Sequence, residues 1–138
     1  MHDEQHISNL LHAYVEAVDQ RDFEALGDLF QRASFQFVMP GQAPGRILRG
    51  KDDIQRFHRK ILGPIEDGTV GRHIISNLIV EVADNGETAT SRCYSCGLRF
   101  RKGSPPVVVG VARYFGQYRK LDGAWHLAGI VNQLDLLG

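Results

Sequence analysis

The first sixty residues place apolar side chains at helical spacing. Over residues 3–19 they recur at i, i+3, i+4, i+7, i+8 and i+11, which predicts an amphipathic helix with one buried stripe: Ile7, Leu10, Leu11, Tyr14, Val15 and Val18. Asp19 falls in the last turn of this helix, where the helix dipole favours a basic side chain. A carboxylate at this position needs an explanation other than helix stability.

Two shorter helices follow in the same pattern. Asp22 is a typical N-cap for a helix over residues 23–30, whose core-facing side chains are Phe23, Leu26, Leu29 and Phe30. Residues 51–62 predict a third helix, which ends at Gly63-Pro64 and carries one apolar stripe: Ile54, Phe57, Ile61 and Leu62.

The remaining segments predict β-strands. Residues 34–39 and 46–49 predict two short strands around a turn-rich segment. Four long strands follow, separated by tight turns and one loose loop over residues 102–106: residues 71–82, 88–100, 107–120 and 124–136. Helices followed by a meander of long strands predict an α+β fold in one domain spanning residues 1–138. Glycines inside the strands indicate a sheet that bends around a helix or a ligand: Gly97, Gly110, Gly116 and Gly129.

The strand over residues 71–82 has two unlike faces. One face carries a histidine and an asparagine among isoleucines: His73, Ile75, Asn77, Ile79 and Glu81. The other face is nearly all apolar: Ile74, Ser76, Leu78, Val80 and Val82. We expect the apolar face to pack against other elements, and the mixed face to line a cavity that is mostly apolar with a few placed polar groups.

Composition and charge narrow the classes of function. The 138 residues include 16 basic and 16 acidic ones without an extended Lys/Arg block, which argues against nucleic-acid binding. No apolar run approaches the ~20 residues of a membrane span. The N-terminal MHDEQH is too polar for a signal peptide, so we expect a cytoplasmic protein without membrane contact.

Neither metal nor redox chemistry is indicated. Cys93 and Cys96 form a CxxC motif inside a predicted strand, where this spacing puts the thiols on opposite faces, and no second pair is available for zinc. His58, beside Phe57, is expected at the surface or at its boundary. The other histidines outside the strand over residues 71–82 show no ligand spacing: His2, His6, His12 and His126. We therefore expect neither a metal nor a cofactor.

Four segments of the chain carry a family resemblance: YVEAVDQRDFEALGDLF, RILRGKDDIQRFHRKI, GRHIISNLIVEVAD and RYFGQYRKLDGAWHLAGI. In this order they resemble the SnoaL-like branch of the nuclear transport factor 2-like (NTF2-like) superfamily. That branch includes scytalone dehydratase, bile-acid dehydratases and hexachlorocyclohexane dehydrochlorinase. The resemblance implies a cone of three helices packed into a strongly curved, mainly antiparallel sheet, with a deep pocket at its wide end.

The resemblance also implies a set of pocket residues. An aspartate near the end of the first helix and a histidine at the start of the sheet meet in the family's pocket, and these positions fall on Asp19 and His73. A tyrosine that some dehydratases use to hold substrate oxygen falls on Tyr14. These three residues are therefore the candidate catalytic group.

The chain departs from the family pattern at four positions. Cys96 is the nearest match to a second pocket acid or histidine, and Gly116 stands where many relatives have an acid. His126 and Ile130 replace arginines that are common in the last strand. The chain thus matches the family at the candidate base, His73, and differs from it at the positions that would supply an acid. The superfamily also contains pocket proteins without known activity and structural dioxygenase subunits, so the fold alone does not decide the reaction.

Each candidate residue has a chemical and a structural interpretation. His73 would take a proton from carbon while Asp19 holds its other nitrogen, or would only donate to a backbone carbonyl. Asp19 would otherwise be a solvated helix end beside Arg21, and Tyr14 a part of the core wall. Asn77 would orient substrate or bridge to the backbone. If Arg113 points inward, its guanidinium needs a carboxylate from the protein or from a ligand. The candidate lining residues on the next two strands are Tyr94, Cys96, Leu98, Phe100, Val109, Val111, Arg113 and Phe115.

We therefore expect a cofactor-free lyase or isomerase that acts on a small, mostly apolar cyclic molecule, with loss of water as the first choice. His73 would abstract a proton, Asp19 would orient the ring and stabilise the imidazolium, and Tyr14 would hydrogen-bond the oxygen that gains charge or leaves. The alternative is a non-catalytic module that binds a hydrophobic ligand or supports a partner subunit. An apolar run over residues 107–109 predicts association into a homodimer or homotrimer.

Overall fold

The computed structural model describes residues 2–137, which form three helices and six strands. The helices are α1 (Asp3–Gln20), α2 (Phe23–Leu29) and α3 (Lys51–Leu62). The strands are β1 (Ser34–Val38), β2 (Leu48–Arg49), β3 (Thr69–Val82), β4 (Thr88–Arg101), β5 (Ser104–Leu121) and β6 (Ala124–Leu137). The α+β class is confirmed, and every helix begins at the predicted residue. None of the described helices has the length and apolarity needed to cross a membrane.

The six strands form one sheet in the order β2-β1-β6-β5-β4-β3. β1 runs parallel to β6, and every other neighbouring pair is antiparallel. The register shifts in all three long hairpins mark bulges, which bend and twist a sheet. β3 lies at an edge, so the backbone groups on its outer side are available to a helix instead of a strand.

The helices cover one face of the curved sheet and bury an aromatic and aliphatic core. The predicted stripe of α1 supplies buried residues at Ile7, Leu11, Tyr14, Val15 and Val18. The rings of Phe30 and Phe35 lie 5.6 and 6.3 Å from that of Tyr14, measured between centroids. Such edge and tilted contacts stabilise a core beyond the area they bury. The ring of Tyr14 is therefore part of the core wall.

Arg21 fixes the C-terminal end of α1. It adopts a left-handed conformation with φ of 56°, and its guanidinium donates to the carbonyl oxygens of Val18 (3.2 Å), Leu62 (3.3 Å) and Gly63 (3.4 Å). These bonds satisfy free carbonyls at the ends of α1 and α3. Asp22 then caps α2 as predicted, accepting a hydrogen bond from a first-turn amide at 3.0 Å. The last turn of α1 is thus held against α3.

The predicted faces of β3 are wrong at Ile74 and beyond the midpoint of the strand. Asn77 has φ of 56°, and the pairing with β4 shifts register between Ser76 and Ile79, which marks a β-bulge. The extra residue reverses the alternation, so the inward side chains are His73, Ile75, Leu78, Val80 and Val82. Ile74, expected in the core, is 53% exposed on the opposite face. A period of two does not anticipate an inserted residue, although asparagine tolerates the left-handed conformation that the bulge needs.

The predicted loop over residues 102–106 is a tight turn. Gly103 has φ of 84°, and β5 begins at Ser104, which pairs with Arg101. The two prolines, Pro105 and Pro106, indicated a loop because proline has no amide donor for a ladder. They lie at the start of β5, where the pairing with β4 is irregular and that donor is not required.

Candidate active site

The carboxylate of Asp19 and the imidazole of His73 form a close pair. Asp19 Oδ1 accepts a hydrogen bond from His73 Nδ1 at 2.6 Å, and Asp19 Oδ2 accepts one from the backbone N–H of His73 at 3.1 Å. The side chain of Asp19 is 9% exposed and that of His73 is 24% exposed. Because the aspartate holds both the ring and the backbone, it fixes the position and the rotation of the imidazole.

Two features of the fold bring this pair together. His73 lies near the start of the edge strand β3, so its backbone N–H faces α1 instead of a neighbouring strand. Asp19 lies in the last turn of α1, which has no basic residue. The hydrogen bonds from His73 offset the unfavourable position of a carboxylate near the negative end of a helix dipole. The unexpected acidic residue in the helix pattern therefore belongs to the site.

The hydrogen bonds define which nitrogen of His73 is free. An ionised carboxylate only accepts hydrogen bonds, so Nδ1 is the protonated nitrogen. Nε2 lies on the other side of the ring, beside Gly97 on β4, where a Cβ atom would be 3.4 Å from it. A neutral imidazole in this state has a lone pair on Nε2, which can take a proton from a bound molecule.

Two adjacent chambers meet at His73. The inner chamber has a volume of about 200 Å³ and the outer chamber one of about 390 Å³. Both are lined by Ile61, Leu62, His73 and Val109. The inner chamber is otherwise mostly apolar, and its remaining polar side chains are Tyr14, His58, Ser95, Tyr114 and Asn132. A mostly apolar cavity with a few polar groups is typical of a small-molecule site.

Tyr14 and His58 form a second buried pair in the inner chamber. Tyr14 Oη lies 3.1 Å from His58 Nε2, and His58 Nδ1 lies 2.7 Å from the carbonyl oxygen of Ile54. Because a carbonyl only accepts, His58 Nδ1 carries the proton, and Nε2 accepts from the Tyr14 hydroxyl. Burial lowers the pKa of His58 and raises the pKa of Tyr14 well above its ordinary value, so both stay neutral near neutral pH. The expected surface position of His58 is wrong, since this residue is 1% exposed.

A row of polar side chains crosses the inner chamber from β4 to β6. Tyr114 on β5 is directly paired with Asn132 on β6, and Ser95 on β4 lines the same chamber. Burial raises the pKa of Tyr114 to about 12, so it remains a phenol. Asn132 Oδ1 is buried and has no hydrogen-bond partner among residues 2–137. The sheet side of the chamber therefore offers neutral hydrogen-bonding groups.

The structure does not bring three of the predicted lining residues to His73. Tyr94, Arg113 and Phe115 are exposed on the outer face of the sheet, Tyr94 to the extent of 54%. The Arg113 guanidinium donates to both carboxylate oxygens of Asp135, at 2.8 and 3.0 Å. The carboxylate that an inward arginine would have needed is thus found outside the pocket.

Three other predicted residues lie at the margin of the site or outside it. Asn77 is exposed at the β3 bulge, and Leu98 lines only the outer chamber. Cys96 is half-buried on the outer face of β4, whereas Cys93 is buried on the inner face, as the spacing of the motif predicts. Burial raises the pKa of Cys93 to about 11, so this thiol stays protonated near neutral pH.

The polar row of the inner chamber was missed because the wrong faces of β4 and β5 were chosen. His73 pairs with Gly97, so the chamber side of β4 carries Ser95 and Gly97 instead of Tyr94 and Cys96. A usable signal was present in the sequence, since the inward positions of the two strands repeatedly hold small residues, which leave room for a cavity. They are Ser95, Gly97, Gly110 and Ala112.

Comparison with known proteins gives the family of this chain. The SnoaL-like domain matches residues 1–130. The chain belongs to the SnoaL-like family. This confirms the family that the four sequence segments indicated. Among curated proteins, none matches this SnoaL-like chain in sequence.

Solved structures similar to the SnoaL-like chain share its fold. An NTF2-like protein with a cystatin-like fold from Novosphingobium aromaticivorans is 25% identical, with a TM-score of 0.70 over 96% of this chain and 81% of that one. A variant of Rv3472, a protein of unknown function from Mycobacterium tuberculosis, is 23% identical, with a TM-score of 0.75 over 98% and 73%. A provisionally assigned scytalone dehydratase from N. aromaticivorans is 16% identical, with a TM-score of 0.72 over 99% and 86%. The NTF2-like fold is thereby confirmed.

Proposed function

We propose that this SnoaL-like chain is a cofactor-free lyase that removes water from a small, mostly apolar cyclic molecule, or an isomerase that moves a proton within one. The proposal is carried by the Asp19–His73 pair at the junction of two chambers, with Nδ1 held at 2.6 Å from a carboxylate oxygen. This is the arrangement of a general base whose tautomer is fixed by a partner.

In the proposed dehydration, His73 Nε2 takes a proton from a carbon next to a carbonyl group. The electrons of that C–H bond form the new carbon–carbon double bond, and the C–O bond to the leaving hydroxyl breaks. The imidazolium then returns its proton to the departing hydroxide, which leaves as water. In an isomerisation the proton returns to a different carbon instead. Asp19 keeps its hydrogen bond to Nδ1–H throughout and stabilises the charge on the ring.

Tyr14 has a narrower role in this proposal than the family resemblance implied. Its hydroxyl proton is directed to His58 Nε2, so the Tyr14 oxygen offers a lone pair to the chamber. We assign Tyr14 as an acceptor for a substrate hydroxyl. Tyr114, whose hydroxyl also lines the inner chamber, supplies the donor for an oxygen that gains charge.

Turnover of a panel of cyclic β-hydroxy ketones tests the proposal. Loss of water gives a conjugated enone that absorbs in the ultraviolet, and incubation in heavy water reports proton exchange at carbon by mass spectrometry. We expect His73→Gln to lower the rate by ~10²–10⁴. His12→Gln, at an exposed position of α1, should leave the rate unchanged. Equal rates in the parent and in a folded His73→Gln would contradict the assignment.

A binding module of the same fold is the second candidate, and the composition of the inner chamber favours it in one respect. Among the described residues that line this chamber, none is acidic, so no carboxyl group stands there to protonate a leaving group. A binding module would retain an apolar molecule, unchanged, through dialysis, as mass spectrometry of the purified protein would show. Turnover that is lost in His73→Gln would exclude this candidate.

We also propose that two copies of the chain associate through the outer face of the sheet. This outer face is defined by its exposed large apolar side chains: Ile74, Ile79, Tyr94, Val108, Phe115 and Leu136. The Arg113–Asp135 ion pair lies on the same face. Large apolar side chains exposed on one face are typical of protein interfaces, and a two-fold axis would place the same face of each copy in contact. A homodimer fits this face better than a homotrimer, because the contact is self-complementary.

A further inference from the structure

Two buried side-chain atoms stand out among residues 2–137, because they are the ones that lack a hydrogen-bond partner. They are Thr69 Oγ1, in the wall of the outer chamber, and Asn132 Oδ1, in the wall of the inner chamber. Leaving a buried polar atom unpaired destabilises a fold, and nearly all such atoms in proteins are paired. A ligand in the inner chamber would supply the missing partner of Asn132 Oδ1.

We infer that Asn132 is a specificity-determining residue whose Oδ1 accepts a hydrogen bond from a neutral hydroxyl group on a ring of the substrate, remote from the carbon that His73 deprotonates. The inference rests on the proposed function for the position of the reacting carbon. It assigns a ligand contact to a strand that sequence reasoning had not connected with the pocket.

The neighbours of Asn132 define the chemistry that it would recognise. In the sheet it is paired with Tyr114 on β5 and with Phe37 on β1, and both of these line the inner chamber. The unpaired atom of Asn132 is its Oδ1, which only accepts hydrogen bonds, so it pairs with a hydroxyl and not with a carbonyl. Because the polar row contains neutral groups, a carboxylate or phosphate on the ligand would be desolvated there without an opposite charge. A neutral oxygen is therefore favoured.

The dimensions of the chamber favour a ligand of two fused rings. The strands that carry His73 and Asn132 are separated by β4 and β5, and neighbouring strands lie ~4.8 Å apart. A single ring is short for this span, even with both side chains reaching inward. The inner chamber of about 200 Å³ is also smaller than pockets for drug-sized ligands, which begin near ~300 Å³. A compact bicyclic skeleton meets both limits.

Affinities of 2-naphthol and naphthalene test this inference, because the two probes differ only in a hydroxyl group. We expect the parent to bind 2-naphthol about tenfold more tightly than naphthalene. Asn132→Leu should bring this ratio close to one while it keeps the affinity for naphthalene. Gln133→Leu removes an amide from the next residue of β6 and should keep the ratio. An unchanged ratio in Asn132→Leu would overturn the inference.

Two further measurements address the possible misfolding of Asn132→Leu and the dependence of the Asn132 inference on the proposed reaction. If Asn132→Leu does not fold, the side-chain amide signals of Asn132 in the parent provide the test by NMR. They should shift with 2-naphthol and not with naphthalene, and equal shifts would contradict the inference. The affinity ratio in His73→Gln separates the two proposals, because it reports the amide contact without turnover. If the parent shows no turnover and the affinity ratio still persists in His73→Gln, the proposed reaction is rejected while the hydrogen bond to Asn132 stands.

Discussion

Asp19 occupies the last turn of α1, where a lysine or arginine would stabilise the helix, and accepts two hydrogen bonds from His73. A misplaced charge near a helix end costs about 0.3–1 kcal/mol. Hydrogen bonds to a charged group contribute about 1.5–3 kcal/mol each, so the pair offsets that cost. The same contacts leave the imidazole with one defined tautomer and one free nitrogen. At the scale of single residues, an acidic side chain in the last turn of α1 is therefore the clearest indication of the candidate site.

His58 makes the stability of the protein depend on pH. Burial lowers its pKa below the ordinary value of 6.5, so below that pH the unfolded chain binds a proton that the folded chain does not. Stability is complete above pH 6.5 and falls as the pH decreases. We expect the free energy of unfolding of the parent to fall more than that of His58→Gln between about pH 7.5 and pH 5.5.

Urea unfolding at both pH values measures this difference. Tyr14, which donates to His58, keeps an acceptor in the glutamine variant, so the comparison isolates the titration of the imidazole. Parallel pH dependence in the two proteins would contradict the buried, neutral state of His58.

The glycines of β4 and β5 show how the strands make room for both the core and the pocket. A Cβ atom at Gly116 would lie 2.6 Å from Ser91 Oγ and in steric conflict with Tyr118, whose hydroxyl bonds Ser91 at 2.7 Å. An acid, which relatives of this family carry at that position, has no space here. Gly97 instead adjoins Nε2 of His73 and leaves the ring accessible. Similar residues thus serve packing in one case and access in the other.

Gly116→Ala should destabilise the protein by about 1–3 kcal/mol, because the added methyl group overpacks the core against a hydrogen-bonded tyrosine. Chemical denaturation of the variant measures the loss. The same substitution in a Tyr118→Val background should cost less, since the ring that opposes the methyl group is removed. Equal costs in both backgrounds would show that the overpacking is not with Tyr118.

Gly97→Ala should lower turnover and ligand affinity more than it lowers the free energy of unfolding. The added Cβ would lie 3.0 Å from Cγ2 of Val109, which is the end of a side chain that can adjust, and 3.4 Å from His73 Nε2. We expect turnover or ring binding to fall by at least about tenfold, because access to the base is narrowed. The free energy of unfolding should change by less than about 1 kcal/mol. Unchanged turnover and 2-naphthol affinity would contradict the position assigned to Nε2.

Sequence patterns predicted the elements of this fold better than the faces of its strands. The stripe of α1 and the caps of the helices are local features, so their boundaries were found within a residue or two. The inward side of β3 depends on the bulge at Asn77, and that of β4 depends on its register with β3. Register is set by contacts distant in sequence, so a single strand does not encode it. Asp19 and His73 were found because a misfit and a family resemblance mark them, whereas Asn132 carries neither signal.

At the scale of the whole molecule, our proposals place the ligand on one side of the sheet and a second copy on the other. The helices and both chambers lie on the inner side, and the exposed apolar residues lie on the outer face. Stable interfaces of standard size bury ~800 Å² on each partner, and a four-stranded surface offers an area of this order. Because the candidate site lies away from this face, the proposed association and the proposed catalysis should be separable.

Ile74→Asp should convert the proposed dimer to a monomer, because it places a charge without a partner in an apolar contact. Sedimentation velocity over a range of protein concentrations measures the change. Ile47→Asp alters an isoleucine that is as exposed as Ile74 but precedes β2, at the opposite edge of the sheet from β3, and should leave the dimer intact. A monomeric parent, or equal dissociation in both variants, would contradict the proposed interface.

The state of the His73 ring tests the central claim most directly. Long-range proton–nitrogen NMR of the imidazole distinguishes a protonated from an unprotonated ring nitrogen, in the parent and in Asp19→Asn. The parent should carry its proton on Nδ1, with Nε2 unprotonated, because Asp19 accepts from Nδ1 at 2.6 Å. Asp19→Asn should lose this preference, since an amide can either donate or accept. A parent ring with its proton on Nε2, or identical spectra in the two proteins, would show that Asp19 does not hold His73 as a base.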